Sequence, residues 1–114
     1  MVVKRGEIWW ALTPEPAGQA QGTVRPVVIL QTDPFNKSRI PSVIVAVISS
    51  DMRLAESPGN VKLSRQQSGL DREAVIDVAR ICSLQRGQLS EQISTLSSIK
   101  QRQLEEGLRL ILGL

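Results

Sequence analysis

GTVRPVVILQ, Gly22 to Gln31, sets a guanidinium and a proline at the head of an apolar run. The β-branched residues Val27, Val28 and Ile29 read as a buried strand. Pro26 fits at the start of that strand, where a missing amide donor is tolerated. Downstream, VIVAVIS, Val43 to Ser49, is a second strand of the same kind, reached through the turn-like DPFNKSRIPS. Upstream, Gly6 to Leu12 is a short aromatic and apolar strand. The Pro-, Gly- and Gln-rich TPEPAGQAQG after it reads as a long loop.

Beyond the second buried strand comes the loop SDMRLAESPGN and then VKLS, a short segment able to pair at a sheet edge. In EAVIDVARICSL, Glu73 to Leu84, apolar residues fall on both parities. That pattern predicts a strand with a bulge, with a helix as the other reading. EQISTL is a short strand or a helical turn. The last segment, SSIKQRQLEEGLRLILGL, spaces Ile99, Leu104, Leu108 and Ile111 for an amphipathic helix. Ser97 or Ser98 is its cap, Ser98 with Gln101 has capping-box spacing, and Gly113 suits its end. Short strands, long loops and one terminal helix predict a mainly β fold, a small, partly open barrel.

The chain of 114 residues, 41% hydrophobic, supports one domain spanning residues 1–114. Its 14 Lys and Arg against 11 Asp and Glu give a formal charge of +3, which permits a polyanionic partner without demanding one. Cys82 is the single cysteine, so no internal disulfide forms, and a reducing cytoplasm fits. No apolar run reaches membrane-spanning length and the first residues lack a signal-peptide core, so the expected location is cytoplasmic, with no membrane partner. Histidine is absent. Histidine-pair ribonuclease chemistry and a Ser-His-Asp triad are thereby excluded, and a zinc site lacks its usual ligands.

Gly22, Arg25 and Pro26 have a plain structural reading: a turn, a surface ion pair and a strand start. The chemical reading sets a planar guanidinium among flexible glycines and the amides of Gln19 and Gln21, a fork matched to phosphate oxygens. Ser49 and Ser50 stand where the second buried strand ends. Hydroxyls are common in turns, but if the two strands are antiparallel neighbours, Ser49 and Arg25 meet at one rim. Asp77 is a solvent-facing residue or a partner of Arg25 or Arg80. Trp9 and Trp10 point to opposite faces of a strand, so at least one enters the core; stacking of the other on a base is the weaker reading.

KRGEIWW, GQAQGTVRPVVILQ, VIVAVISS, VIDVARICSL and LRLILGL, in that order, resemble the MazF/PemK/Kid family of toxin endoribonucleases. The resemblance runs through nearly the whole chain. It implies a small SH3-like barrel with a C-terminal helix, assembled as a homodimer. It further implies metal-independent, cofactor-free cleavage of single-stranded RNA, the 2'-hydroxyl attacking the phosphate to leave a cyclic phosphate and a 5'-hydroxyl. A cognate MazE-like antitoxin with an acidic tail would cover the RNA groove. On this resemblance the catalytic arginine is Arg25, as proton donor or transition-state stabiliser, and the strand-end hydroxyl, usually threonine, is Ser49. Gln19, Gln21, Ser50, Asp77 and Arg80 are the RNA-binding positions. The family's G-S-E-Q loop is here Gly18-Gln19-Ala20-Gln21, so its carboxylate is missing and Asp77 or water would serve in its place. Two other readings remain open: a CcdB-like toxin of the same fold that binds gyrase without cutting RNA, and an RNA-binding module without activity.

Overall fold

The computed structural model describes residues 2–14 and 22–114. Six strands form one antiparallel sheet: β1 (Glu7–Thr13), β2 (Thr23–Ile29), β3 (Ser42–Ser49), β4 (Val61–Leu63), β5 (Ala74–Gln85) and β6 (Leu89–Thr95), in the spatial order β4-β5-β3-β2-β1-β6. Helix α1 (Asp33–Asn36) and a 3-10 turn at Met52–Glu56 are single turns inside the two segments expected to be loops. Helix α2 (Arg65–Ser68) leads into β5, and α3 (Ser98–Leu112) ends the chain. EQISTL contributes to strand β6, and VKLS supplies the edge strand β4, which pairs with β5.

Alternation divides the buried residues between the two faces of the sheet. Ile8, Val28, Ala46, Ile48 and Ile76 pack on one face with Leu104 of α3, while Trp9, Val27, Ile29, Val43, Val45 and Leu84 pack on the other. Strand β5 serves both, which explains its apolar residues on both parities. Ala46 pairs with Ile81, yet the next residue of β3, Val47, pairs with Asp77, so Val78, Ala79 and Arg80 are extra residues in β5. An odd number of extra residues reverses the parity of a strand. Ile76 therefore joins the first face and Leu84 the second. Asn60 pins this bulge: its Oδ1 accepts from the Val78 amide at 3.0 Å and its Nδ2 donates to the Leu54 carbonyl at 2.9 Å. Strand β6 is likewise irregular, with register shifts on both sides of the Trp9–Trp10 pair. Bulges bend and twist the strand that carries them, which suits a half-barrel.

Helix α3 is capped by Ser97, whose Oγ accepts from the Lys100 amide, and ends at Gly113 with φ of 72°. The Ser98–Gln101 box does not form, because Ser98 already lies inside the helix and Gln101 turns back to donate to the Leu96 carbonyl. A capping box forms instead at α2, between Ser64 and Gln67. Only part of the expected apolar face of α3 is buried: Leu104 is enclosed and Leu108 half-buried, whereas Ile99 and Ile111 are exposed. At 3.6 residues per turn Ile99 projects roughly 140° away from Leu104, and Ile111 lies one turn beyond the contact. That contact is made by Gly107, where any Cβ would strike the Gly59 carbonyl oxygen.

Candidate RNA-cleaving site

The β2–β3 ladder is short: Val27 pairs with Val47, Val28 with Ala46 and Ile29 with Val45. Pro26 has no amide to continue it. Beyond Val27 the strand ends part, and an open cleft of about 360 Å³ lies between them. Val24, Arg25 and Pro26 line one side, and Ile48, Ser49 and Ser50 the other. Extended by one more pair on the same side of the sheet, the register sets Arg25 opposite Ser49. Both residues line this one cleft.

Arg25 is half-buried, and its Nη1 donates to Thr13 Oγ1 at 2.9 Å. Thr13 is buried, and its own hydroxyl donates to the Thr23 carbonyl at 2.9 Å. One lone pair of Oγ1 is thus directed at the guanidinium by a bond fixed within the β1–β2 ladder, where Thr13 pairs with Thr23 and Ala11 with Arg25. Ser49 Oγ accepts from the Asp51 amide at 3.0 Å, which holds the oxygen at the strand end while leaving its proton to donate. Asp51 in turn accepts from the Arg53 amide and side chain, bonds that hold its carboxyl below the usual aspartate range. The turn after β3 is ordered by these contacts.

Arg80 and Ser50 also line the cleft, as does Arg72 from the turn before β5. Three arginines around one opening make an electropositive floor suited to a phosphodiester. The β5 bulge accounts for Arg80, since extra residues re-aim a side chain. Asp77 is placed differently. It is buried, its Oδ1 accepts from the Ala79 amide at 3.1 Å, and it is not among the cleft-lining residues. Its visible work is to close the bulge that presents Arg80. Gln19 and Gln21 lie outside the described residues. Among the described residues no group of three metal-ligating side chains is present, and no helix is long and apolar enough to cross a membrane.

Residues 4–112 match the family described as PemK-like, MazF-like toxin of type II toxin-antitoxin system. The chain belongs to this family. A curated relative, Endoribonuclease MazF6 of Mycobacterium tuberculosis, is 38% identical over 114 residues, the whole of both chains. An endoribonuclease from a mycobacterial species, solved in complex with its cognate antitoxin, superposes with a TM-score of 0.80 at 15% identity, over 98% of this chain and 96% of that one. MazF from Deinococcus radiodurans gives 0.79 at 22% identity, over 100% and 99%. At these identities the superpositions speak for the fold: a MazF-like antiparallel half-barrel closed by a C-terminal helix.

Within this MazF-like frame two cleft features escaped the sequence reading. Thr13 counted only as the first residue of a loop, because its bond to Arg25 depends on the cross-strand register. Arg72 and Asp71 sit in a turn with no distinguishing pattern, and only the fold brings them to the cleft.

Proposed function

We propose that this chain is a metal-independent endoribonuclease toxin that cuts single-stranded RNA and is held inactive by a cognate antitoxin. One observation carries the reading: Arg25 and Ser49, on separate strands, line one cleft at the point where β2 and β3 part. The full-length relative named as an endoribonuclease supports it, as does the antitoxin complex of the mycobacterial structure. The working unit in this proposal is a homodimer, as the family resemblance of the sequence motifs implies.

In the proposed reaction the 2'-oxygen attacks phosphorus and its proton passes to solvent. The bond to the 5'-oxygen breaks, and that oxygen collects a proton from water, leaving a cyclic phosphate and a 5'-hydroxyl. Arg25 acts by stabilising the extra negative charge of the pentacoordinate phosphorane with its planar fork of N–H donors. Ser49 donates its hydroxyl to a non-bridging oxygen of the same phosphate. Arg80 and Ser50 hold the flanking backbone.

The test is incubation of purified protein with a long single-stranded RNA in EDTA, with the cut ends mapped. Wild type should give discrete cuts. Arg25→Ala should lower the rate on the order of 10²–10³-fold, the worth of one preorganised donor to a developing anion. Its melting temperature should stay nearly unchanged, because Thr13 Oγ1 keeps its bond to the Thr23 carbonyl. Equal cutting by wild type and variant would remove Arg25 from the site.

A further inference from the structure

The two adjacent tryptophans have separate fates. Trp9 is 8% exposed, packs in the core, and its Nε1 donates to Glu7 Oε1 at 3.0 Å. Trp10 is half-buried and lines the cleft, where no acceptor among the described residues engages its Nε1. Trp10 pairs with Pro26 across the β1–β2 ladder, and the next pair on the same face is Leu12 with Val24. Leu12 is 43% and Val24 57% exposed. An exposed apolar ladder thus leads into the cleft on the sheet face opposite to that of Arg25, and Leu70 adds a further apolar side chain to the cleft wall. Asp71, from the turn before β5, is the one carboxylate in the lining, 3.5 Å from Arg72 Nε and well exposed.

A surface that combines an indole, apolar neighbours and three guanidinium groups fits a nucleotide, with base on the apolar side and phosphate on the basic side. We infer that Trp10 is the stacking platform for one base next to the scissile phosphate, and that Asp71 selects a base carrying an exocyclic amine there. A carboxylate accepts from the amine of cytosine or adenine, or from the N–H edge of guanine, and has much less to offer uracil, whose only edge donor is its ring N–H. The inference rests on the nuclease reading for the position of the phosphate, but base stacking needs no cleavage. Its role is to position and discriminate the substrate.

The experiment measures equilibrium binding of fluorescently labelled single-stranded RNA whose 2'-hydroxyls are methylated to prevent cleavage, alongside mapping of cut sites on unmodified RNA, for wild type, Trp10→Ala, Trp10→Phe and Asp71→Asn. Melting temperatures are recorded for each. Trp10→Ala should weaken binding roughly 10- to 100-fold, the worth of one base–aromatic stack, with Trp10→Phe recovering most of it. Asp71→Asn should relax the preference at one position of the recognised sequence and leave the others intact. Unchanged affinity and unchanged cut sites in folded Trp10→Ala would overturn the platform, and an unchanged motif in Asp71→Asn would overturn the selection. Wild-type protein that binds RNA through Trp10 but never cuts would overturn the nuclease reading alone. Wild-type protein that does not bind RNA would overturn both.

Discussion

At the scale of the residue, the cleft shows how one buried hydroxyl orients a charge. Thr13 Oγ1 accepts from Arg25 while its own proton is committed to the Thr23 carbonyl, so the guanidinium meets a lone pair of fixed direction. Thr13→Val keeps the shape and removes both bonds. The Thr23 carbonyl and the guanidinium are each left one partner short, at about 1–3 kcal/mol for a group left unsatisfied, so stability should fall by up to that amount. RNA cleavage should fall about tenfold, the equivalent of some 1.4 kcal/mol of positioning, and Thr13→Ser should recover it. Unaltered cleavage by the valine variant would show that Arg25 is held by its other contacts. Arg25 and Ser49 were both legible in the sequence because a charge before a buried strand and a hydroxyl after one are conspicuous. Thr13 was not, since threonine at a strand end is commonplace and its role exists only across the ladder.

At the scale of the element, the bulge in β5 connects packing to the site. Asp77 and Asn60 bond its amides, and the three extra residues both switch the strand between the two faces and deliver Arg80 to the cleft. Asn60→Ala leaves the Val78 amide and the Leu54 carbonyl without their partners, at a cost of about 1–3 kcal/mol. A urea titration should show a lower midpoint. Because the bulge then relaxes, RNA affinity should fall as well; an affinity unchanged by the substitution would mean that Arg80 does not depend on the bulge. Mixed parity in EAVIDVARICSL announced an irregularity, yet not its size or location, which follow from pairing with β3. The exposed Ile99 and Ile111 teach the same lesson for α3. Periodicity marks which residues suit an apolar face, and the contact between Gly107 and Gly59 fixes which of them are covered.

At the scale of the whole molecule, the absence of histidine shapes the response to pH. Nothing of ordinary pKa titrates between about pH 5 and 8 in the side chains, so folding stability should be flat there. Asp33 is held below the usual aspartate range by the Arg5 amide and then by the Asn36 side chain, and Asp51 by the side chain and then the amide of Arg53. A lowered folded pKa means that the unfolded chain binds the proton first. The stabilisation is therefore present above the ordinary aspartate pKa and is lost as the pH falls through the lowered values. Both groups lie half-buried at the surface, so the acid limb should be shallow. Thermal melts from pH 8 down to pH 2 should show a plateau and then a decline below about pH 4; a transition near pH 6 would contradict it.

The sequence by itself determined the first three strands, the terminal helix, the family and the two side chains at the head and tail of the buried runs, because hydrophobic periodicity and rare charged positions are local signals. Register, the β5 bulge, the cap at Ser97 and the gathering of Trp10, Thr13, Asp71 and Arg72 around Arg25 and Ser49 were decided only by tertiary structure. Each of these depends on which backbone lies opposite which, and strand pairing across tens of residues leaves no periodic mark in either partner.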